Sequence, residues 1–503
     1  MVKVKTDMGV KEGKQKEKKS KGFVRENFES ILIAIVLAFV LRIFIVEAFK
    51  IPTGSMAPTL LGLHKVVKCP NCSWKFDCDH NSSYVKCSNC SYSIRMSDYG
   101  KSGGNRILVN KFIYDFSKPK RWDVTVFIYP YNDVTCRSCG FFSQQSTICK
   151  KCSNSSLKKE NFIDAKFNTF KSYLGLEQYH RLNCKSCGVE EKVVCEQCNS
   201  TDTHVVRKNY IKRMIALPGE KLQIVNGDIY INGKIQRKPE SVQEKLWVPV
   251  FDSNYQAKQE IVRIWDIEES FWKRDNGELH LTTPHDEDHS SYATFSRKIT
   301  DSNAYNGRTS NVIDGDIMVK FDCVTLRDGG GISIILESGD SVYETFIRSK
   351  SEKQKSFLKG TDMDLIESTT VFVEPNRKYR IEFSNVDKVL TFKLDGSVVF
   401  SHTFDIDVST VDRHTFSSKL KIGGMNTESI FKNISLFRDI YYADSGQWGT
   451  EEPVTLGEKE YFVLGDNSRN SNDSRFWKFV PEDSMVGKAF IVFWPLSTIN
   501  FVK

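Results

Sequence analysis

Asn209-Tyr-Ile-Lys-Arg-Met-Ile-Ala-Leu-Pro-Gly-Glu220 is the stretch on which the reading turns. Its side chains alternate in the way of a strand with one face buried, and Pro218-Gly219 ends it in a turn. Lys212 therefore falls within a strand. A strand lysine is ordinarily a solvated edge residue. Packed among apolar groups it loses basicity, and a fall of about three units from roughly 10.4 corresponds to about 4 kcal/mol. A neutral amine of that kind takes a proton from a hydroxyl without any histidine, and none of the nine His stands in a comparable setting.

Two further segments supply what such an amine would serve. Phe49-Lys-Ile-Pro-Thr-Gly-Ser-Met-Ala-Pro-Thr-Leu60 is an irregular loop shaped by Pro52, Gly54 and Pro58, and it presents Ser55. A lone Ser in such a loop is normally a turn residue. Tyr461-Phe-Val-Leu-Gly-Asp-Asn-Ser-Arg-Asn-Ser-Asn-Asp-Ser-Arg475 leaves an apolar run through a Gly-Asp-Asn turn and continues as small polar and charged residues. It reads as a loop crossing a site, or as a hydrophilic hairpin loop with an Asp473–Arg475 pair.

The wider chain is a mosaic. Its 503 residues predict three to five domains. Ordinary globular composition excludes a collagen-like or wholly disordered chain, and a mean hydropathy of −0.38 excludes a many-pass membrane protein. Eight Lys against Asp7, Glu12 and Glu17 place +5 of the formal +8 in residues 1–22. The rest of the chain carries only +3, no basis for nucleic-acid binding. After this basic tail (1–29) comes an apolar run at 30–49, long enough to cross about 30 Å of hydrocarbon as a helix. Arg42 and Glu47 stand in its outer half, in reach of the interface by snorkelling. A cleaved signal peptide and a buried core helix are the rival readings. No Ala-x-Ala follows, which favours an uncleaved anchor. Positive charge keeps the tail cytoplasmic, so a single-pass protein of the cell (inner) membrane is expected, with all later residues on the exported side.

Ile51-Pro-Thr-Gly-Ser-Met-Ala-Pro-Thr-Leu60, Arg121-Trp-Asp-Val-Thr-Val-Phe127, Tyr210-Ile-Lys-Arg-Met-Ile-Ala-Leu-Pro-Gly219, Gly465-Asp-Asn-Ser-Arg-Asn-Ser-Asn-Asp-Ser-Arg475 and Val486-Gly-Lys-Ala-Phe-Ile-Val-Phe-Trp-Pro495 follow one another in an order that resembles bacterial type I signal peptidase. The resemblance covers residues 50–68, 100–135, 203–250 and 448–503, which it makes one discontinuous catalytic core of signal-peptidase β-fold. It implies Ser55 as nucleophile and Lys212 as general base. Thr53 would complete an oxyanion hole with the Ser55 N–H, and Ser471 would orient the lysine. Asp473 with Arg475, and Asp466 with Arg213, would be supporting pairs. Catalysis would need no cofactor. The substrates implied are secreted preproteins with small side chains at the first and third positions before the cut, bound extended beside a strand. The apolar stretch near Phe490–Trp494 would be an edge facing membrane lipid or, equally, a buried core strand. Position 468 is Ser where some relatives carry Arg, a change expected at the loop surface, and the second membrane span of some relatives is absent.

Thirteen of the 14 cysteines lie between Cys69 and Cys198. Cys69/Cys72 and Cys87/Cys90 form paired C-x-x-C knuckles with 14 residues between them. Cys136/Cys139 and Cys149/Cys152 follow with nine between, and Cys184/Cys187 and Cys195/Cys198 with seven. Cys78 is left over. Paired knuckles are the spacing of four-cysteine zinc ribbons, with zinc structural because no position is left for water. Export favours disulfides instead, yet three repeats of a four-thiolate pattern are hard to explain as scaffolding. A zinc-ribbon-like insert at 69–99 and 136–202 is therefore expected.

Residues 252–445 read as short alternating strands, among them Asp316–Asp322, Tyr379–Phe383 and Val389–Phe400, the last broken by a hairpin signal at Asp395-Gly396. A jelly-roll-like β-sandwich insert is expected, similar in pattern to laminin-G and concanavalin-like domains. A glycan or protein ligand is one reading of it, a purely structural domain the other. The whole chain is then mostly β, with one transmembrane helix and a peptidase core split by two inserts. The alternatives to an active peptidase are a surface binding protein on an inactive scaffold, against which the presence of both Ser55 and Lys212 speaks, and the self-cleaving repressor clan, against which the membrane span speaks.

Overall fold

The computed structural model describes residues 27–34, 46–146, 181–183, 190–285, 289–300, 305, 316–339, 341–361, 364–411 and 418–503. It is mostly β. The core sheet contains β1 (Val46–Lys50), β2 (Arg106–Asn110), β3 (Val124–Ile128), β4 (Asn209–Ala216), β5 (Glu460–Leu464), β6 (Val480–Pro481), β7 (Met485–Trp494) and β8 (Asn500–Phe501). Its order is β1-β2-β7-β3-β4-β5-β6, with β8 on β7, and every pairing is antiparallel. Ile107, Val109, Val124, Val126, Ala489 and Val492 pack with Ile51, Met56 and Leu60 on one side. Phe127, Met214, Tyr461, Val463 and Trp477 form a second cluster. The strands that carry Lys212 and the Gly465 turn are thus central, and they are rigid because both of their edges are paired.

β3 and β4 do not stop at the sheet. Beyond Tyr129 the chain continues into Tyr131–Cys136, which pairs with Thr203–Val206 leading into β4. This arm crosses the expected boundary at 135/136 by one residue, where Cys136 pairs with Thr203. A smaller sheet of Lys221–Val225, Asp228–Ile231, Lys234–Ile235 and Val454–Thr455 encloses a third core around Leu222, Ile224 and Phe462.

Residues 248–438 build two large sheets packed face to face. One contains Ile317–Thr325, Lys378–Val386, Val389–Leu394 and Glu428–Arg438. The other contains Ser290–Phe295, Gly331–Ser338, Ser341–Arg348 and Ser418–Met425. Phe321, Phe383, Phe392 and Phe431 from the first meet Ile332, Ile334, Leu336 and Ile422 from the second. Strict alternation explains the layers, because every second residue points inward. Asp395 and Gly396 both have positive φ, 50° and 81°, and close Val389–Leu394 onto Ser397–Thr403.

The N-terminal expectation changes. Within residues 1–50 the described helix is 27–34. Residues 1–26 and 35–45, which hold the basic tail and the middle of the expected span, lie outside the described residues. Among the described residues no helix is long and apolar enough to cross a membrane. Residues 46–49, expected as the end of a helix over 30–49, are strand β1, in full register with β2. From Glu47 on its burial alternates, with Glu47 and Phe49 half-buried and Ala48 and Lys50 exposed, as at a sheet edge. Glu47 does not snorkel but pairs with Lys111, Nζ to Oε2 2.9 Å.

Candidate active site

Lys212 lies mid-strand in β4, opposite Thr125 of β3. Ser55 follows the irregular loop after β1, whose Ile51 N–H donates to the Asn105 carbonyl at 2.9 Å. Both residues are buried, at 3% and 8% exposure. Lys212 Nζ lies 2.8 Å from Ser55 Oγ and 3.0 Å from the Ile211 carbonyl. Burial pushes the Lys212 ammonium down to about 8. The negative charges of Asp473 and Asp466 partly oppose this, and Arg475 adds to it. An amine so placed, with its proton loosely held, can exchange one with the hydroxyl.

The Gly465 turn presses on this pair. A side chain at Gly465 would put its Cβ 2.2 Å from Ser471 Oγ and 2.5 Å from the Ser55 carbonyl, so only glycine lets the two loops meet. Ser471 is buried beside the pair, but among the described residues its hydroxyl has no hydrogen-bond partner and makes no bond to Lys212. Thr53 is exposed at the mouth of the loop.

Both expected ion pairs are present and fully buried. Arg475 Nε and Nη2 donate to Asp473 Oδ1 and Oδ2 at 2.8 and 2.9 Å. Arg213 Nε and Nη2 donate to Asp466 Oδ1 and Oδ2 at 2.8 and 2.7 Å. Each pair also ties loops together. Asp473 Oδ2 accepts from Gly465 N–H, and Arg475 Nη1 reaches the Ala443 carbonyl. Thr59 donates to Asp466 at 2.5 Å. Ser468, expected at the loop surface, is buried, and its hydroxyl accepts from Ala443 N–H at 2.8 Å. An arginine could not take that place without opening the turn. Sequence reasoning assigned no task to Thr59 or Asn467, and only Asn467 carried a signal, by its place in the Gly-Asp-Asn turn.

The cysteines assemble differently from their order. Cys69, Cys72, Cys87 and Cys90 converge, as expected from adjacent knuckles, with Cys69–Cys90 at 3.7 Å and Cys72–Cys87 at 3.6 Å. Among the described residues, the second cluster joins Cys136 and Cys139 to Cys195 and Cys198. Its Cys136–Cys198 and Cys139–Cys195 separations are both 3.6 Å. The cause is strand register. Cys136 faces Thr203, so the knuckle that ends one strand meets the knuckle that precedes the other. Cys149, Cys152, Cys184 and Cys187 lie outside the described residues. Four thiolates about 2.3 Å from one tetrahedral zinc stand about 3.8 Å apart, whereas a disulfide needs about 2.05 Å. Both described clusters fit the metal.

The family model described as signal peptidase, peptidase S26, matches residues 24–71, 96–269 and 426–494, more than half of the chain. The chain belongs to this signal peptidase family. It is 44% identical over 50 residues to a probable signal peptidase I-2 of Synechocystis, 10% of this chain and 23% of that protein. To signal peptidase I of Pseudomonas fluorescens it is 39% identical over 87 residues, 15% of this chain and 27% of that protein. The chain thus spans about a quarter of the curated relatives it matches. Among solved structures, the carbohydrate-binding module CBM66 of Bacillus subtilis covers 35% of the chain, with 96% of its own length, at 11% identity and a TM-score of 0.26. A Bacillus subtilis protein of galectin-like fold covers 38%, with 96% of its own length, at 11% and 0.27. Scores this low carry no argument.

Proposed function

We propose that this chain is a membrane-anchored serine endopeptidase that removes signal peptides from exported preproteins, with Ser55 as nucleophile and Lys212 as general base. The observation that carries the reading is the buried 2.8 Å contact between Lys212 Nζ and Ser55 Oγ, made by a lysine whose basicity is lowered to about 8. At pH 7 about a tenth of such a lysine is neutral, roughly 300 times the share of an unperturbed one. The neutral amine takes the Ser55 proton as Oγ attacks the scissile carbonyl. The Ser55 N–H, with Thr53, would receive the developing oxyanion. The lysine then returns the proton to the leaving amine, and water repeats the cycle on the acyl-enzyme. Asp473–Arg475 and Asp466–Arg213 hold the loops that shape this pocket, and Ser471 would orient the lysine once substrate closes the site.

The substrate segment would lie extended beside the strands of the core, with small residues before the cut. Trp494, Leu496, Ile499 and Phe501 form an exposed apolar group at the end of β7 and in β8. They support contact with lipid and, with the apolar run that precedes β1, a site held at the membrane on the exported side. The cysteine clusters would bind structural zinc as ribbon-like modules, all four positions of each being filled by protein. The family model leaves 72–95 and 270–425 unmatched, which supports reading the first cysteine module and the lectin-like sandwich as inserts. A glycan or a protein is the ligand class the sandwich would suit.

Purified protein in detergent, given a preprotein with Ala at both small positions, tests the reading. Cleavage is expected, and Ser55→Ala or Lys212→Met abolishes it with the fold retained. Undiminished turnover in either variant overturns the assignment.

A further inference from the structure

Asn467 lies against the Ser55 loop without belonging to the dyad. Its side chain is 1% exposed. Its Nδ2 donates to the Gly54 carbonyl at 2.9 Å, and its backbone N–H donates to the Ser55 carbonyl at 3.0 Å. The Gly54 carbonyl belongs to the same planar unit as the Ser55 N–H. Because a trans peptide is rigid and its C=O and N–H point in opposite directions, fixing one aims the other. We infer that Asn467 is a positioning residue that aims the Ser55 N–H at the oxyanion, an inference that rests on the peptidase reading above.

Two observations show why the loop needs such a clamp. Residue 54 is glycine, the residue least able to hold its own peptide plane. Nor can a side chain replace it, since a Cβ there would fall 2.3 Å from the Tyr305 ring. Restraint must come from hydrogen bonds, and the Gly54 carbonyl takes two, from Asn467 Nδ2 and from Ala57 N–H at 3.1 Å. The second is an ordinary turn bond and leaves the plane free to rock. Asn467 also keeps its Oδ1 buried without a partner. An orphaned buried acceptor opposes folding by about as much as one hydrogen bond favours it. The side chain therefore adds little to stability, and its place is explained by what it aims.

The test compares wild type, Asn467→Ala and Asn467→Asp on one preprotein, with Ser55→Ala as control. Asn467→Ala should lower kcat about ten- to a hundred-fold, the range of a misplaced oxyanion donor. KM should stay within about two-fold, the pH midpoint of Lys212 should stay near 8, and Tm should change little. Asn467→Asp, which sets an acceptor against the Gly54 carbonyl, should fall at least as far. A peptide aldehyde that forms a tetrahedral adduct on Ser55 should lose affinity in the same proportion as kcat/KM. A kcat within two-fold of wild type in Asn467→Ala, or a loss of kcat with a displaced midpoint or unchanged aldehyde affinity, overturns the inference and leaves the peptidase reading intact. Wild-type protein without Ser55-dependent cleavage overturns both.

Discussion

Replacing Lys212 by Met should abolish activity and stabilise the protein at neutral pH. The lysine is fully buried and its pKa falls from 10.5 to about 8. At about 1.4 kcal/mol per unit, that fall corresponds to a burden of about 3 kcal/mol on the folded state. Between these values the unfolded chain binds the proton and the folded one does not, so stability rises with pH. The burden is complete below pH 8, shrinks as pH rises, and is gone above about 10.5, where the amine is neutral in both states. Met removes the burden but also deletes the bonds to Ser55 Oγ and to the Ile211 carbonyl, which together offset about 2 kcal/mol. A net gain of about 1 kcal/mol remains, roughly 2–4 °C in Tm for a core of this size. Thermal unfolding of wild type and Lys212→Met from pH 6 to 10.5 reads it directly. The variant should melt higher at pH 6–8, and its advantage should close towards pH 10.5. A variant no more stable than wild type at pH 7, or an advantage that does not change with pH, refutes the claim that Lys212 is held near neutrality by burial.

Asp473→Asn leaves Arg475 buried without its bidentate partner and should lower stability by about 3–5 kcal/mol, read by urea unfolding. Gly465→Ala drives a Cβ into Ser471 Oγ and the Ser55 carbonyl. It should depress kcat for preprotein cleavage at least ten-fold, the scale of about 1.4 kcal/mol of lost transition-state stabilisation. Metal analysis checks the cysteine pairing: Cys136→Ser and Cys195→Ser should each lose one zinc, and the double variant no more than either alone, because both serve one cluster.

The candidate loops were legible through the family resemblance, because each carries a short local motif, although alone Ser55 reads as a turn residue and Lys212 as an edge residue. Ser55 sits in a Pro/Gly loop, Lys212 in an alternating strand, and the Gly465–Arg475 turn names its own ion pair. Their contact was not legible from pattern alone, since it depends on β3, β4 and β5 being neighbours across gaps of tens to hundreds of residues. The meeting of the Cys136 and Cys195 knuckles was not legible for the same reason. A knuckle is local, but which knuckle it meets is set by the register of Tyr131–Cys136 against Thr203–Val206. Val46–Phe49 was read as helix because hydropathy does not distinguish the end of an apolar helix from an edge strand. Ser468 reads as surface because some relatives carry Arg there, while the bonds that bury it come from Arg475, seven residues on, and from Ala443, outside its segment.

The central claim is a Ser55–Lys212 dyad that cuts preproteins. The pH dependence of kcat/KM on one preprotein, measured in detergent from pH 6 to 9.5 for wild type and Ser55→Ala, tests it most directly. A single rising limb with a midpoint near 8, about tenfold per unit below it, is predicted, with no cleavage in the variant. Cleavage that survives Ser55→Ala, or a wild-type profile without that limb, would contradict it.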